Sequence, residues 1–287
     1  MRFMVEVRVA SDAGYCYGVE RALRMTSKAS TECDGPIYTL GPIIHNPQVV
    51  QQFVRDGVAP VENVAEVLEG TIIVRTHGVD PLVIEEASER GLRVIDATCP
   101  FVAKAQKKAA ELVAGGYRVF IVGERNHPEV VGILAHAGGN AIVVEQVGEL
   151  GKLRKMAKVG VVVQTTQPLA KLQEVVSHLI TAAAEIKVFN TICNATVHRQ
   201  NAAGELATEA DLMVVVGGKN SANTTRLAQI CEAAGTETLH IETAADLPSR
   251  LLVGREIIGV TAGASTPEWL LVEVVDKIKA IVEGDGT

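Results

Sequence analysis

Apolar and polar positions along the chain form a pattern that returns three times. A short alternating apolar segment ("VEVRVASDAGYC", "LRVIDATC", "IKVFNTIC") runs into a cysteine, and a stretch with helical spacing follows ("GVERALRMTSKAS", "PFVAKAQKKAAELVA", "NATVHRQNAAGELATEA"). A second apolar strand comes next, "IYTLG", "RVFIVG" or "LMVVVG", and closes on Gly41, Gly123 or Gly217. These glycines lie 25, 24 and 24 residues after Cys16, Cys99 and Cys193. They open polar turns, "GPIIHNP", "GERNHPEVVG" and "GGKNSANTTRL". A third strand ("TIIVR", "GVVVQ", "IIGVT") leads through another polar turn to a proline-led helix. Pro81, Pro168 and Pro267 suit its first turn, where the missing N–H costs nothing.

Strands alternating with helices predict parallel sheets built from right-handed βαβ units, which makes the fold class α/β. The third copy lacks a final strand, and the N-terminal "MRFMVEVRV" is the spare one. The expectation is therefore three similar α/β lobes with small parallel sheets, closed into a pseudo-threefold ring. Their ranges are residues 14–97, 98–191, and 192–281 together with the N-terminal strand 1–13. Functional loops of parallel α/β sheets gather beyond the C-terminal strand ends, so the cysteine turns and polar turns are expected to face a shared centre.

Composition narrows the function. The chain has 287 residues, 47% hydrophobic and 21% charged, enough for two or three small domains. A net charge of -7 and 3% aromatic residues argue against a nucleic-acid partner. No apolar run approaches the ~20 residues of a membrane helix, so no membrane partner is expected. Glu6, Arg8 and Asp12 interrupt the apolar pattern at the N-terminus, which speaks against a signal peptide and against lipidation of Cys16. The expected location is the cytoplasm. Five cysteines, an odd number, then read as reduced thiols rather than a disulfide framework. Cys33 and Cys231, in helix-end and helical contexts, read as packing residues.

Cys16, Cys99 and Cys193 each stand where a strand gives way to a helix, a position that favours anionic side chains. A basic residue follows five positions on in two copies, Arg21 and Lys104; the third has His198 and Arg199. Thiolates are the ligands of soft metals and iron–sulfur clusters. No paired C-x₂-C ligands support structural zinc, although Cys193 and His198 form a loose C-x₄-H. Three thiolates without a fourth suit a [4Fe–4S] cluster, one per chain, with one iron open to substrate. Packing of the three cysteines, and zinc, remain the alternatives.

His45, His77 and His127 fall in turns after strands, while His136, His178 and His240 lie in helical or strand contexts. The turns "QTTQ", "KNSANTT" and "GASTPEW" add hydroxyl and amide donors next to helix starts, the makings of a phosphate cradle or of ordinary N-caps. Glu129 in "NHPEVVG" is placed to relay a proton, or to answer the helix dipole.

Nine ordered motifs, "GYCYGVERA", "IIHNPQVV", "RTHGVDP", "DATCPFVAKAQ", "GERNHPEVVG", "QTT", "NTICNATVHRQ", "GGKNSANTTRLA" and "GVTAGASTP", span nearly the whole chain. In them the chain resembles the 4-hydroxy-3-methylbut-2-enyl diphosphate reductase family, the last enzymes of the non-mevalonate isoprenoid pathway. The resemblance implies three α/β lobes around a central iron–sulfur cluster held by Cys16, Cys99 and Cys193. It implies substrate contacts from His45, His77, His127, Thr165, Thr166, Ser221, Ala222, Asn223 and Ser265, with Glu129, His127 and Thr165 catalytic. Ala222 stands where the family often has serine, so a hydroxyl contact there is absent, and Tyr15 and Tyr17 flank the first cysteine where a Phe and a small residue are common.

The reaction so implied is reductive dehydroxylation of (E)-4-hydroxy-3-methylbut-2-enyl diphosphate to isopentenyl and dimethylallyl diphosphate. No G-x-G-x-x-G follows a strand, so electrons are expected from a separate carrier such as a ferredoxin or flavodoxin. The other readings are a non-catalytic iron–sulfur redox sensor binding a phosphorylated ligand, and a zinc-dependent hydrolase.

Overall fold

The computed structural model describes residues 5–284. Residues 1–4 of the expected N-terminal strand lie outside the described residues. Strand β1 (Glu6–Val9) leads by way of Cys16 to α1 (Tyr17–Glu32). β2 (Ile37–Leu40), α2 (Pro47–Arg55), β3 (Val58–Val61), β4 (Thr71–Val74), α3 (Pro81–Glu89) and β5 (Arg93–Asp96) follow. The second round is α4 (Pro100–Ala114), β6 (Arg118–Val122), α5 (Pro128–His136), β7 (Ala141–Val144), β8 (Met156–Val163), α6 (Leu169–Leu179) and β9 (Ala183–Phe189). The third is α7 (Asn194–Glu209), β10 (Leu212–Val216), α8 (Ala222–Ala233), β11 (Glu237–Ile241), the short α9 (Ser249–Leu252), β12 (Ile257–Ala262) and α10 (Glu268–Glu283).

The strands form three four-stranded sheets of one order: β3-β2-β4-β5, β7-β6-β8-β9 and β11-β10-β12-β1. Every pairing is parallel. The lobes are thus α/β and alike. The third sheet takes its outer strand from the N-terminus, with Val7 opposite Ile258 and Val9 opposite Val260.

Two differences from the sequence pattern have physical reasons. The repeat shows three strands per copy, but each sheet has a fourth, β3, β7 or β11, at its edge. These run only 4 or 5 residues, too short for alternation to stand out, and β3 ("VAPV") contains Pro60, which an edge strand tolerates. The polar turns after β2, β6 and β10 also pass directly into α2, α5 and α8, whose first turns are rich in polar residues. Pro81 is the first residue of α3, whereas Pro168 and Pro267 sit one position earlier, at the caps of α6 and α10.

Helices cover both faces of the sheets, so in the central strands β6 and β10 successive buried residues are apolar and point to opposite cores. In β6, Val119 and Ile121 pack with Ala105, Ala109 and Leu112 of α4 and Ile133 of α5. Phe120 and Val122 pack on the other side with Leu172, Val175 and Leu179 of α6. In β10, Val214 and Val216 meet Leu270, Val274 and Ile278 of α10, while Met213 and Val215 meet Ala203, Ala207, Leu227 and Cys231. The buried alanines let α4 and α7 lie close to their sheets.

The chain divides into two compact units. One holds the first and second sheets, Gly18–Ile44 with Val50–Cys193. The other holds the third sheet from Asn194 onward, the N-terminal segment through Tyr17, and the loop His45–Val49.

Candidate functional site

Each repeat cysteine directly precedes a long helix: Cys16 before α1, Cys99 as the cap of α4, Cys193 before α7. All three are partly exposed thiols outside any disulfide. Backbone bonds hold the turns, with Cys16 N–H donating to Ala264 O (3.3 Å), Cys99 N–H to Thr76 O (2.9 Å) and Cys193 N–H to Thr165 O (3.1 Å). Before Cys99 the chain bends in a turn closed by Thr98 N–H on Asp96 Oδ1 at 2.9 Å.

Two of the basic residues after the cysteines, Arg21 and Arg199, brace neighbouring turns. Arg21 donates to the carbonyl of Thr98, the residue before Cys99, at 3.1 Å. Buried Arg199 donates to the carbonyl of Gly14, two residues before Cys16, at 2.9 Å, and to Ala195 O at 3.2 Å. Cys231 is buried on α8, its thiol pushed up to about 11 by burial, and Cys33 follows the end of α1.

In the unit with the first two sheets, the turns after β4, β6 and β8 carry His77, His127, Glu129, Thr165 and Thr166. The His77 and His127 rings meet edge to face, centroids 5.3 Å apart at 85°. His127 is the cap of α5, its Nδ1 accepting the N–H of Glu129 at 3.1 Å. That bond leaves the ring proton on Nε2 and makes His127 a neutral donor. Burial, with the charge of Arg75 second, pushes its pKa down to about 4, in keeping with the neutral ring.

Glu129 is 1% exposed. Its Oε1 accepts Thr165 N–H at 2.6 Å and its Oε2 accepts Thr165 Oγ1–H at 2.8 Å. Burial drives the carboxyl up to about 7 against these two bonds. A buried acid that titrates near neutrality is suited to proton transfer.

Two side chains of this unit escaped the reading from sequence. Gln164, fully buried, accepts Glu124 N–H at 2.9 Å and donates to Thr166 Oγ1 at 3.0 Å, so it orients the Thr166 hydroxyl. Arg75 packs over Gly41, where φ is +69° and a Cβ would overlap the guanidinium. Desolvation lowers the pKa of Arg75, with Glu62 opposing, and its Nε makes no hydrogen bond. The "QTT" and "RTH" strings were visible, but a Gln or Arg beside a turn carries no signal of burial.

In the other unit, three polar loops pack together: 45–46, 217–224 and 263–266. Ser265 Oγ donates to His45 O at 3.0 Å. Gly218 comes so near that a Cβ there would stand 2.8 Å from the same carbonyl. Ser221 caps α8 by accepting Thr224 N–H at 3.3 Å. Asn223 is 6% exposed, yet neither its Oδ1 nor its Nδ2 has a protein partner. Asn46 Nδ2, Thr224 Oγ1 and Thr261 Oγ1 are orphaned in the same way. Buried polar atoms are ordinarily paired, so Asn223 and Thr224 in the first turn of the 12-residue α8 fit a polar, anionic ligand. Ala222, beside them, offers no hydroxyl.

One unit thus carries a buried acid poised near pH 7 with a neutral histidine donor, and the other carries orphaned amide and hydroxyl groups, features of an α/β enzyme that acts on an anionic substrate. Comparison with known proteins narrows the class: the chain belongs to the LytB protein family, whose model matches residues 7–279. The 4-hydroxy-3-methylbut-2-enyl diphosphate reductase of Geotalea uraniireducens (strain Rf4) is 49% identical over 277 residues, 96% of this chain and 98% of the relative. The protein of that name from Aquifex aeolicus (strain VF5) is 44% identical over 98% of both chains.

Among solved structures, the chain resembles that of (E)-4-hydroxy-3-methyl-but-2-enyl diphosphate reductase, the terminal enzyme of the non-mevalonate pathway. The TM-score is 0.72 at 44% identity, covering 96% of this chain and 99% of the other. It also resembles the E-1-hydroxy-2-methyl-but-2-enyl-4-diphosphate reductase from Plasmodium falciparum, with a TM-score of 0.90 at 28% identity, covering 95% and 87%. Among the described residues no helix is long and apolar enough to cross a membrane.

Proposed function

We propose that the chain reduces (E)-4-hydroxy-3-methylbut-2-enyl diphosphate to isopentenyl and dimethylallyl diphosphate, as the names of its relatives indicate for them. The allylic C–O bond breaks and a C–H bond forms. Two electrons and two protons are consumed, and the oxygen leaves as water. The buried Glu129–Thr165 pair carries this reading, since a carboxyl near pKa 7 is what expulsion of a poor leaving group requires.

Cys16, Cys99 and Cys193 would hold one [4Fe–4S] cluster, each lobe of the repeat (14–97, 98–191, and 192–281 with 1–13) supplying one ligand. The donor set fits: three thiols outside disulfides, each at a helix start and each in a turn braced by backbone bonds. When bound, the cluster would relay an external carrier's electrons to the substrate and offer Lewis-acid chemistry at an iron without a protein ligand. His45, Ser221, Asn223 and Ser265 would bind the diphosphate, with His77 and the α8 N-terminus adding donors next to Ala222. His127 would donate its Nε2–H near the substrate hydroxyl, Thr166 would line the pocket, and Glu129 would pass its proton through the Thr165 hydroxyl. Electrons would come from an external carrier such as a ferredoxin or flavodoxin. The thiols suit the reducing cytoplasm, where we place the reaction.

Anaerobic purification tests this directly. Brown protein with about four irons and four sulfides per chain, turning over the hydroxylated diphosphate with reduced methyl viologen, is the expected result. Colourless protein with stoichiometric zinc would overturn the cluster; a cluster without turnover would favour a redox sensor.

A further inference from the structure

The chain is acidic overall, net charge -7, yet one face of the second lobe is basic. Cys99 caps α4, and the exposed side of that helix carries Phe101, Lys104 and Lys107, with Lys108 alongside. At one turn per 3.6 residues these positions share a broad face that starts at the cysteine.

The face continues onto the sheet edge. Lys108 Nζ lies 4.9 Å from the centre of the Phe189 ring on β9, and Lys187 Nζ lies 5.3 Å from the same ring. Lys187 is also 5.9 Å, and Lys158 5.3 Å, from the ring of Tyr117. The lysines therefore interleave with Phe189 and Tyr117 and extend α4 and β9 into one surface. Two acids lie within it: Glu111, which pairs with Lys108 at 2.6 Å, and Glu185, which accepts the Tyr117 hydroxyl. The hydrogen bond from Lys108, then the charges of Lys108, Lys107 and Lys187, hold the Glu111 carboxyl below its usual range, which places these lysines together. Among the described residues Lys104, Lys107, Lys158 and Lys187 form no ion pair of their own, and five lysines face two acids, so the surface carries an excess of positive charge. Phe101 (38% exposed) gives it apolar contact area as well.

This surface has one further property. Cys99 stands at the start of its helix, and β9 ends at Phe189, four residues before Cys193. Both cysteines assigned to the cluster from this unit thus lie along the chain next to the basic face.

We propose that this α4–β9 face docks a small electron-carrier protein with an acidic surface, which delivers the electrons of the reaction. The inference rests on the reductase reading, which needs electrons from outside. Opposite charge would steer the carrier onto the face and orient it, an effect exerted mostly on association and sensitive to salt. The exposed Phe101 would supply the apolar centre of the contact.

The test uses anaerobically reconstituted holoenzyme carrying K107E/K187E, with a plant-type ferredoxin as probe. Neither lysine touches the cysteines or the polar loops, so iron content and turnover with reduced methyl viologen should match the wild type. With reduced ferredoxin, kcat/KM should fall about tenfold or more, and ferredoxin affinity by calorimetry should weaken similarly. Raising salt to about 0.5 M should slow the wild type towards the variant, and K107R/K187R should behave as wild type. Unchanged ferredoxin kinetics, or ferredoxin and dye rates falling together, would overturn the docking surface. Absence of dye turnover in the wild type would instead sink the reductase reading, while a loss of ferredoxin affinity in the variant would still support the surface.

Discussion

Thr165 gives both of its donors to one carboxylate: its N–H to Glu129 Oε1 at 2.6 Å and its hydroxyl to Glu129 Oε2 at 2.8 Å. The same residue's carbonyl accepts the N–H of Cys193 at 3.1 Å. One backbone segment after β8 therefore positions both the acid and a thiol. Burial lifts the carboxyl and Thr165 restrains it, and the balance leaves Glu129 titrating near pH 7.

Replacing Glu129 by Gln keeps the shape and removes the transferable proton. Methyl viologen-driven turnover should fall by about a hundred- to ten-thousand-fold. Iron content and pyrophosphate binding should persist. Undiminished turnover would show that the proton takes another route.

If Glu129 donates in its protonated form, activity should decline as pH rises through about 7. Thr165→Ala deletes the hydroxyl bond that lowers this pKa, so the alkaline limb should move to higher pH. Thr165→Ser should leave it in place. A limb that stays fixed in Thr165→Ala would mean that another group sets it.

The same titration affects stability. The carboxyl sits at about 7 in the fold against 4.5 when unperturbed, so its contribution is fully present below pH 4.5 and is lost as pH rises through 7. A rise of that size corresponds to ~3 kcal/mol. Between acid and mildly alkaline pH, Glu129→Gln should thus gain on the wild type in urea unfolding, by up to that amount. Parallel pH dependences would contradict the burial effect.

The orphaned amide of Asn223 separates binding from folding. Its side-chain polar atoms have no protein partner, so Asn223→Ala should weaken pyrophosphate binding about tenfold with little loss of unfolding free energy. Ser221 also caps α8, so Ser221→Ala should cost about 1 kcal/mol of stability as well as affinity. Equal stability losses in the two variants would argue against a ligand role for Asn223.

Much of this protein was readable from residue order. The cysteine-to-glycine spacing and the apolar periods reveal the threefold α/β repeat, because buried parallel strands and helix faces impose their own periods locally. Glu129 and the three cysteines stand out because an acid or a thiol at a strand end is chemically conspicuous wherever it falls, whereas Thr165 is picked out of its hydroxyl-rich turn only by the family resemblance. The short edge strands β3, β7 and β11 were not legible, since four or five residues that pair on one side leave little pattern. Nor were the partners of long polar side chains. Arg21 and Arg199 looked like charges for their own helix's cysteine, but the fold aims them at the carbonyls of Thr98 and Gly14. Gln164 and Arg75 looked ordinary until folding buried them. A local pattern records which face of an element is apolar. Which polar group a side chain meets, and how far burial shifts its proton, depends on chain segments brought together from far apart in sequence.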